Sequence, residues 1–340
     1  HQPARPLYTR AEAKGILRRF KAIAPGRWQT LGGLQVRLTP NGHILGSAMV
    51  EVAGDETVLW SGDLGRPHDP VMPAPEDPPA CDQLVLESTY GDRRHGAQDP
   101  VRELSRLLGV VAQRKGVLLV PSFAVGRSQA ILLHLHQAMQ AGAPRMPVYL
   151  DSPMSAAAMA VMSKHVGLTR SDAGLWQRVV RGVRVVEDAE ESTHLAERPR
   201  PFVLVSSSGM ATGGRVLSHL KALAGSPKNT ILLAGHQAGG TRGAALLAGA
   251  RELRLHGRWV PVKATVRQLE NVSAHADQAE LLDWAARLPT PPRAVHLVHG
   301  ESASCEALRE ALRRRFGWTV DIPLAGDSPR VQPGSRPSGR

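Results

Sequence analysis

Five polar side chains, His43, Asp63, Glu87, His275 and His299, fall where short apolar runs give way to turns. The first two lie in Thr39–Gly65, TPNGHILGSAMVEVAGDETVLWSGDLG, which reads as three strands joined by turns, with Val50, Val52, Val58 and Leu59 at β-branched and apolar positions. An imidazole and a carboxylate presented at the loop ends of a sheet suit a hard or borderline metal ion. A single histidine is more often a packing or surface residue, so the chemistry depends on the other three joining it. Glu87 closes the run QLVLE, at the carboxyl end of a strand, where α/β proteins bind ligands. Its plain alternative is a loop carboxylate satisfied by Ser88 or Thr89. Asp277 and Glu280 have the spacing of a helix N-cap and its reciprocal partner. That leaves His275, two residues earlier, at a strand-to-helix turn with no structural task of its own. His299 ends AVHLV beside Gly300, whereas His296 would point to the opposite face of a regular strand and is expected to pack or lie at the surface. His134 and His136 sit about 200° apart on a helix and cannot chelate together.

Three glycine-rich turns offer a different chemistry. PSFAVGRSQ (121–129), SSSGMATGGR (206–215) and GHQAGGTRG (235–243) each follow an apolar run and open a helix. Amides at helix N-termini, with hydroxyls and arginines beside them, suit phosphate oxygens. The candidate phosphate contacts are Ser122 and Arg127 in the first turn, and Ser207, Ser208, Gly209, Met210, Gly213, Gly214 and Arg215 in the second. The third contributes His236 and Thr241. Tight packing of a helix on a strand also needs glycine, but three such turns on a chain of net charge +12 favour a polyanion. With aromatics at 4%, the grip would depend on charge and backbone amides more than on stacking.

These side chains need elements to hold them. A chain of 340 residues has room for two domains and a large core. The periodicity predicts an amphipathic helix over Ala11–Ile23, then strands near Leu34–Leu38, Met49–Val52, Thr57–Trp60 and Gln83–Leu86, with a Pro-rich surface link at Pro67–Pro79. From Asp92 helices alternate with continuous apolar strands at Val117–Val120, Val148–Leu150, Phe202–Val205 and Thr230–Leu233, the mark of a parallel sheet covered on both faces. Near Val262 the chain returns to strand, then helix Gln278–Leu288, strand Ala294–Val298 and helix Ala303–Phe316. The simplest arrangement is one domain inserted in another. Two distant cysteines, Cys81 and Cys305, imply no disulfide framework, so a reducing cytoplasm is the default. No apolar run is long enough to span a membrane, and the closing segment from 327 to 340 is expected to be a disordered tail.

With these residues assembled, the chain resembles the metallo-β-lactamase-fold nucleases that carry a β-CASP insertion, the bacterial and archaeal relatives of the nuclease subunit of the mRNA cleavage and polyadenylation factor. GHILGSA (42–48) and SGDLG (61–65) look like two of that family's metal motifs, ESTYGD (87–92) its acidic motif, SAHAD (273–277) its histidine motif and LVHGE (297–301) its last ligand motif. The resemblance implies an α/β fold: a metallo-β-lactamase αββα sandwich, incomplete at its N-terminus, formed by 1–91 and 264–326, with a β-CASP domain at 92–263 and the active site between them. It implies two Zn2+ ions, with His43, Asp63 and His299 as ligands and Asp63 shared, and RNA as substrate, cleaved internally or from the 5′ end. Asp63, Glu87 and His275 are its catalytic residues, His275 donating a proton to the leaving oxygen while Glu87 holds it. A histidine at 299 marks the RNA-processing branch.

The family's main ligand cluster, His-x-His-x-Asp-His, does not occur in these residues. The expectation is that it precedes position 1 and that the chain as given is inactive without it. GHQAGGTRGA also departs from the family pattern, which has a Tyr at 236. A non-catalytic RNA-binding scaffold and a small-molecule metallo-hydrolase on the same fold are the competing readings, and the resemblance leaves a homodimer open. SSSGMATGGR matches neither dinucleotide nor P-loop spacing.

Overall fold

A short helix precedes the first strands of the structure, a computed structural model that describes residues 7–324 and 326–327. The expected tail lies almost wholly outside the described residues. Thr9 caps helix α1 (Arg10–Ile16) through a capping box with Glu12, and a 3-10 turn at Leu17–Arg19 ends it. The helix is shorter than the expected Ala11–Ile23. Ile16, Leu17 and Phe20 stay more than half exposed, so its apolar stripe meets nothing among the described residues.

Strands β1 (Gln29–Leu31), β2 (Leu34–Pro40), β3 (Ala48–Ala53) and β4 (Thr57–Trp60) form an antiparallel meander, and β5 (Gln83–Glu87) adds parallel to β4. The segment between β4 and β5 departs from the expected surface link. Val71 and Met72 are 4% and 8% exposed and belong to the core of the second domain, because a run of prolines with apolar residues between them can pack without a ladder of its own.

After α2 (Pro100–Arg114) come β6 (Val117–Pro121), α3 (Arg127–Gln140), β7 (Val148–Asp151), α4 (Pro153–Lys164), α5 (Ala173–Arg181), β8 (Val183–Val185), α6 (Ala189–His194), β9 (Phe202–Ser206), α7 (Val216–Leu223), β10 (Thr230–Ala234) and α8 (Arg242–Leu247). A hairpin, β11 (Glu252–Leu255) and β12 (Arg258–Pro261), leads to β13 (Thr265–Leu269). The second sheet is parallel throughout, in the order β13-β10-β6-β9-β7-β8. Its central strands are buried along their whole length, which is why they read as unbroken apolar runs. Helices α2 to α5 cover one face with Leu104, Leu108, Ile131 and Trp176, and α7 covers the other with Val216 and Leu220.

One expected boundary shifts. β13 pairs with β10 from Thr265↔Thr230 to Leu269↔Ala234. The return to the first sheet therefore comes after Leu269, not at 264. The run TVRQL can edge either sheet, and its partner is fixed only by the tertiary fold. Helix α9 (Gln278–Ala285), β14 (Ala294–Val298), α10 (Ser302–Phe316) and β15 (Val320–Asp321) complete the first sheet, in the order β1-β2-β3-β4-β5-β14-β15. Met49, Leu59, Leu84, Leu86, Val295 and Leu297 pack against Leu281 and Trp284 of α9 and Leu308 and Leu312 of α10. Among the described residues this sheet and its helix layer represent the expected sandwich.

The strand directions decide where the chemistry goes. β2 and β4 each run antiparallel to β3, and β4, β5 and β14 are parallel. The carboxyl ends of β2, β4, β5 and β14 therefore share one edge of the sheet.

Candidate active site

All five side chains meet at that edge. His43 lies in the loop after β2, Asp63 follows β4, Glu87 ends β5 and His299 follows β14; His275 comes from the turn before α9. Asp63 stands between two imidazoles: its Oδ2 is 3.6 Å from His43 Nε2 and its Oδ1 is 3.1 Å from His299 Nδ1. The ring of His275 lies 4.4 Å from that of His43 and 5.8 Å from that of His299, between centroids. The site opens on a cavity of about 630 Å³ between the two domains, also lined by Phe123, Met210 and His236.

Glu87 is 1% exposed yet ionised. Burial pushes its carboxyl up, but the hydrogen bond and charge of His275, with Thr89 and the Leu64 amide, outweigh burial and hold it below the usual range. Its Oε1 accepts from Leu64 N (2.7 Å) and from His275 Nδ1 (3.0 Å), and its Oε2 from Thr89 N (3.1 Å). Since a carboxylate only accepts, His275 must carry its proton on Nδ1, which leaves Nε2 for the cleft. His43 is pushed down to about 4, first by burial and then by the neighbouring His275. It is therefore neutral at pH 7, the form that binds a metal.

Three supporting residues escaped the sequence. Asn41, 1% exposed, donates Nδ2 to Ser61 O (2.9 Å), accepts from Ser47 Oγ (2.5 Å), and its carbonyl takes Gly65 N (2.8 Å). It ties the His43 loop to the Asp63 loop. Ser61 Oγ accepts from Glu87 N (3.1 Å). His95 donates Nε2–H to His275 O (2.9 Å), and its own amide is held by Asp277 Oδ2 (2.8 Å). Ser61 lies in SGDLG, but neither it nor Asn41 and His95 could be singled out, because an asparagine, a serine and a loop histidine gain these partners only from the fold. His299 has φ of 55°, a left-handed backbone unusual for a residue with a side chain, next to Gly300, whose added Cβ would lie 2.6 Å from Ser88 O.

The loops that carry His43 and Asp63 approach closely. A Cβ on Gly65 would fall 2.1 Å from both the carbonyl carbon and oxygen of Gly42. Gly65→Ala must push the loops apart, and we expect it to cost about 1–3 kcal/mol of stability and to weaken metal binding. Thermal unfolding and metal titration of the variant check both.

Much of the polar capacity of the glycine-rich turns is taken up inside the fold. Arg127 is 7% exposed, donates Nη1 to Ala234 O (2.5 Å) and sits over the Phe123 ring. Arg215 donates to Asp151 Oδ1 (2.6 Å), a fully buried carboxylate that also takes Ser192 Oγ and His219 Nε2 at 2.5 Å each. Both guanidinium groups, expected to meet phosphate, have partners that tie the turns to the sheet. The amides of Thr212 and Gly213 are taken by Ser208 Oγ (3.0 and 3.2 Å), and Ser207 Oγ lies 3.2 Å from Ser155 Oγ. Gly209 lies against Phe123, and Gly214 turns with φ of 77° where a Cβ would strike Ser207 O. Gly213 has open space beside it. Ser122 is buried, with its amide on Ser206 O (2.9 Å). Thr241 caps α8 and donates to Ala238 O (2.7 Å). Of the expected set, Met210 and His236 face the cleft, with Arg127 in its wall. His296 packs inside the first domain beside Gln83, as expected.

Imidazole nitrogens and a carboxylate within reach of one another form a donor set that fits zinc, and ligand atoms of His43, Asp63 and His275 lie within 4.8 Å of one another, as do those of Glu87, His275 and His299. Fold and site together define a metallo-hydrolase with an inserted parallel α/β domain. Residues 128–246 match the Beta-Casp domain and residues 259–323 the Zn-dependent metallo-hydrolase RNA specificity domain. The chain belongs to the β-CASP metallo-β-lactamase ribonuclease family. It is 36% identical over 334 residues to Ribonuclease TTHA0252 of Thermus thermophilus, covering 95% of this chain and 75% of that protein. An RNase J-like protein of Methanocaldococcus jannaschii is 33% identical over 291 residues, 84% of this chain and 68% of the relative. The transcription termination factor FttA of Thermococcus kodakarensis is 28% identical over 347 residues, 96% of this chain and 53% of that factor, so the chain spans about half the length of that relative.

Proposed function

We propose that the protein is a zinc-dependent ribonuclease that hydrolyses RNA phosphodiester bonds in RNA processing or decay. The single observation that carries this is Asp63 with one oxygen toward His43 and the other toward His299, beside the Glu87–His275 pair. His43 and Asp63 would hold one zinc ion, Asp63 and His299 a second. When bound, the two ions activate water as the nucleophile and neutralise charge on the phosphate oxygens. Glu87 fixes the His275 ring through Nδ1, so that when Nε2 also carries a proton the ring can hand it to the departing 3′ oxygen and return to the neutral form. His236 and Met210 face the strand of RNA across the cleft. Counted among the described residues, each ion has two protein ligands, fewer than the three usual at a catalytic zinc. A further ligand per ion, of the kind the His-x-His-x-Asp-His motif supplies, is needed for full activity.

The test is a labelled single-stranded RNA incubated with zinc-saturated protein carrying that motif, with and without a chelator. We expect cleavage that the chelator abolishes. RNA bound but never cut would identify a scaffold, and hydrolysis of thioesters or lactones without RNA binding a small-molecule hydrolase. With a net charge of +12, RNA affinity should also fall steeply with salt, with a log–log slope near −0.7 per phosphate contacted. An affinity flat between low and physiological salt would contradict a phosphate grip.

A further inference from the structure

The β11–β12 hairpin belongs to the second domain but takes no part in the site described above. Leu253, Leu255 and Val260 point inward and are buried in the core beneath α7. Strand alternation turns Arg254 and Trp259 to the other face, where they stand directly opposite each other across the ladder. Trp259 is 64% exposed, and among the described residues neither an aromatic ring nor a guanidinium lies over its indole. The ring borders a shallow groove of about 370 Å³ that it shares with Thr241, Arg242, Glu252 and Arg254. Between 241 and 261 the chain carries four arginines, Arg242, Arg251, Arg254 and Arg258, against one carboxylate, Glu252. None of the four makes an ion pair among the described residues, so their charge is open to a polyanion.

One loop joins this groove to the cleft. Residues 235–243 place His236 and Ala238 in the wall of the cleft, and Gly240, Thr241 and Arg242 in the wall of the groove. Arg242 ties the parts together. Its Nε donates to Arg254 O (2.9 Å) in the hairpin and its Nη1 to Ala211 O (3.3 Å), next in the chain to Met210 of the cleft. A strand that leaves the metal-binding residues over this loop arrives at an open indole face with arginines beside it.

We propose that the β11–β12 hairpin is a platform for single-stranded RNA outside the cleft, on which Trp259 stacks one unpaired base while Arg254 and Arg242 attract the flanking phosphates. An indole face accepts any base, and a guanidinium group takes phosphate oxygens in pairs. A protein partner would also bury a tryptophan and an arginine. The loop shared with the cleft and the excess of arginine over carboxylate favour the same polyanion that the cleft takes. The proposal rests on the nuclease reading only for RNA as the ligand.

Fluorescence anisotropy, in chelator so that nothing is cut, tests it on one RNA sequence presented single-stranded and as a duplex. Trp259→Ala is expected to weaken the single strand about tenfold, the loss of one stacked base, and to leave the duplex, whose bases are hidden, unchanged. Trp259→Phe, which keeps an aromatic face, should recover most of that affinity. Arg254→Gln should weaken both RNAs and reduce the log–log salt slope for the single strand by about 0.7. Unchanged single-strand affinity in Trp259→Ala, or an equal loss on the duplex, overturns the platform. Unchanged affinity together with lost self-association in sedimentation also overturns it, and makes this face a contact between copies of the chain. Cleavage by zinc-saturated protein carrying the His-x-His-x-Asp-His motif keeps the two readings apart. Single-stranded RNA held through Trp259 but never cut supports the platform and refutes the nuclease. RNA that the Trp259→Ala variant binds and cuts as well as the parent refutes the platform and leaves the nuclease standing.

Discussion

Replacing His275 by alanine is expected to lower turnover by about 10²–10⁴-fold while the zinc content stays the same. The expectation comes from how the ring is held. Nδ1 is committed to a buried, ionised Glu87 at 3.0 Å, and the backbone carbonyl of His275 is clamped by His95 at 2.9 Å. A ring fixed from two sides, with its other nitrogen toward the cleft, has the arrangement of a proton donor. The competing role is that of a ligand, since ligand atoms of His43, Asp63 and His275 lie within 4.8 Å of one another. Kinetics together with metal analysis separates the two. Turnover lost with zinc retained means proton transfer, and zinc lost with turnover makes His275 a ligand.

Asp63→Asn should have the larger effect on metal. Among the described residues Asp63 has one oxygen toward His43 and the other toward His299, so in the proposed two-zinc site losing its charge would remove a ligand from both ions at once. We expect zinc affinity to fall on the order of 10²-fold or more, and turnover to fall at least as far. Titration with a zinc chelator indicator measures the first, and single-turnover cleavage at saturating zinc the second. A variant that keeps both ions and half its activity would show that Asp63 does not bridge them.

Much of this site was legible because the strand ends mark it. His43, Asp63, Glu87 and His299 each follow an apolar run, and β-strands of parallel sense deliver such residues to one edge. His275 could be singled out because the N-cap at Asp277 explained its neighbour. The second domain was legible as a parallel sheet because β6, β9 and β10 are buried throughout. What escaped depended on partners far along the chain. Arg215 looked free for phosphate until Asp151, a strand-end residue 64 positions earlier, claimed it. Val71 and Met72 looked exposed because prolines surround them, and β13 could not be assigned to a sheet before β10 was beside it. Helix α4 has the cap Ser152 followed by Pro153 and α5 the cap Asp172, start signals that went unread because neither helix was anticipated between the apolar strands. In each case the local pattern was intact and the missing information was tertiary.

In the proposed site one carboxylate, Asp63, would join two zinc ions at the edge of the first sheet. Anomalous diffraction at the zinc absorption edge, from zinc-soaked crystals of the protein, tests it most directly. The account predicts two peaks, each about 2.0–2.2 Å from an oxygen of Asp63, one also bonded to His43 and the other to His299, with His275 bonded to neither. A single peak that Asp63 does not touch, or zinc bound through His275 and Glu87, would contradict it.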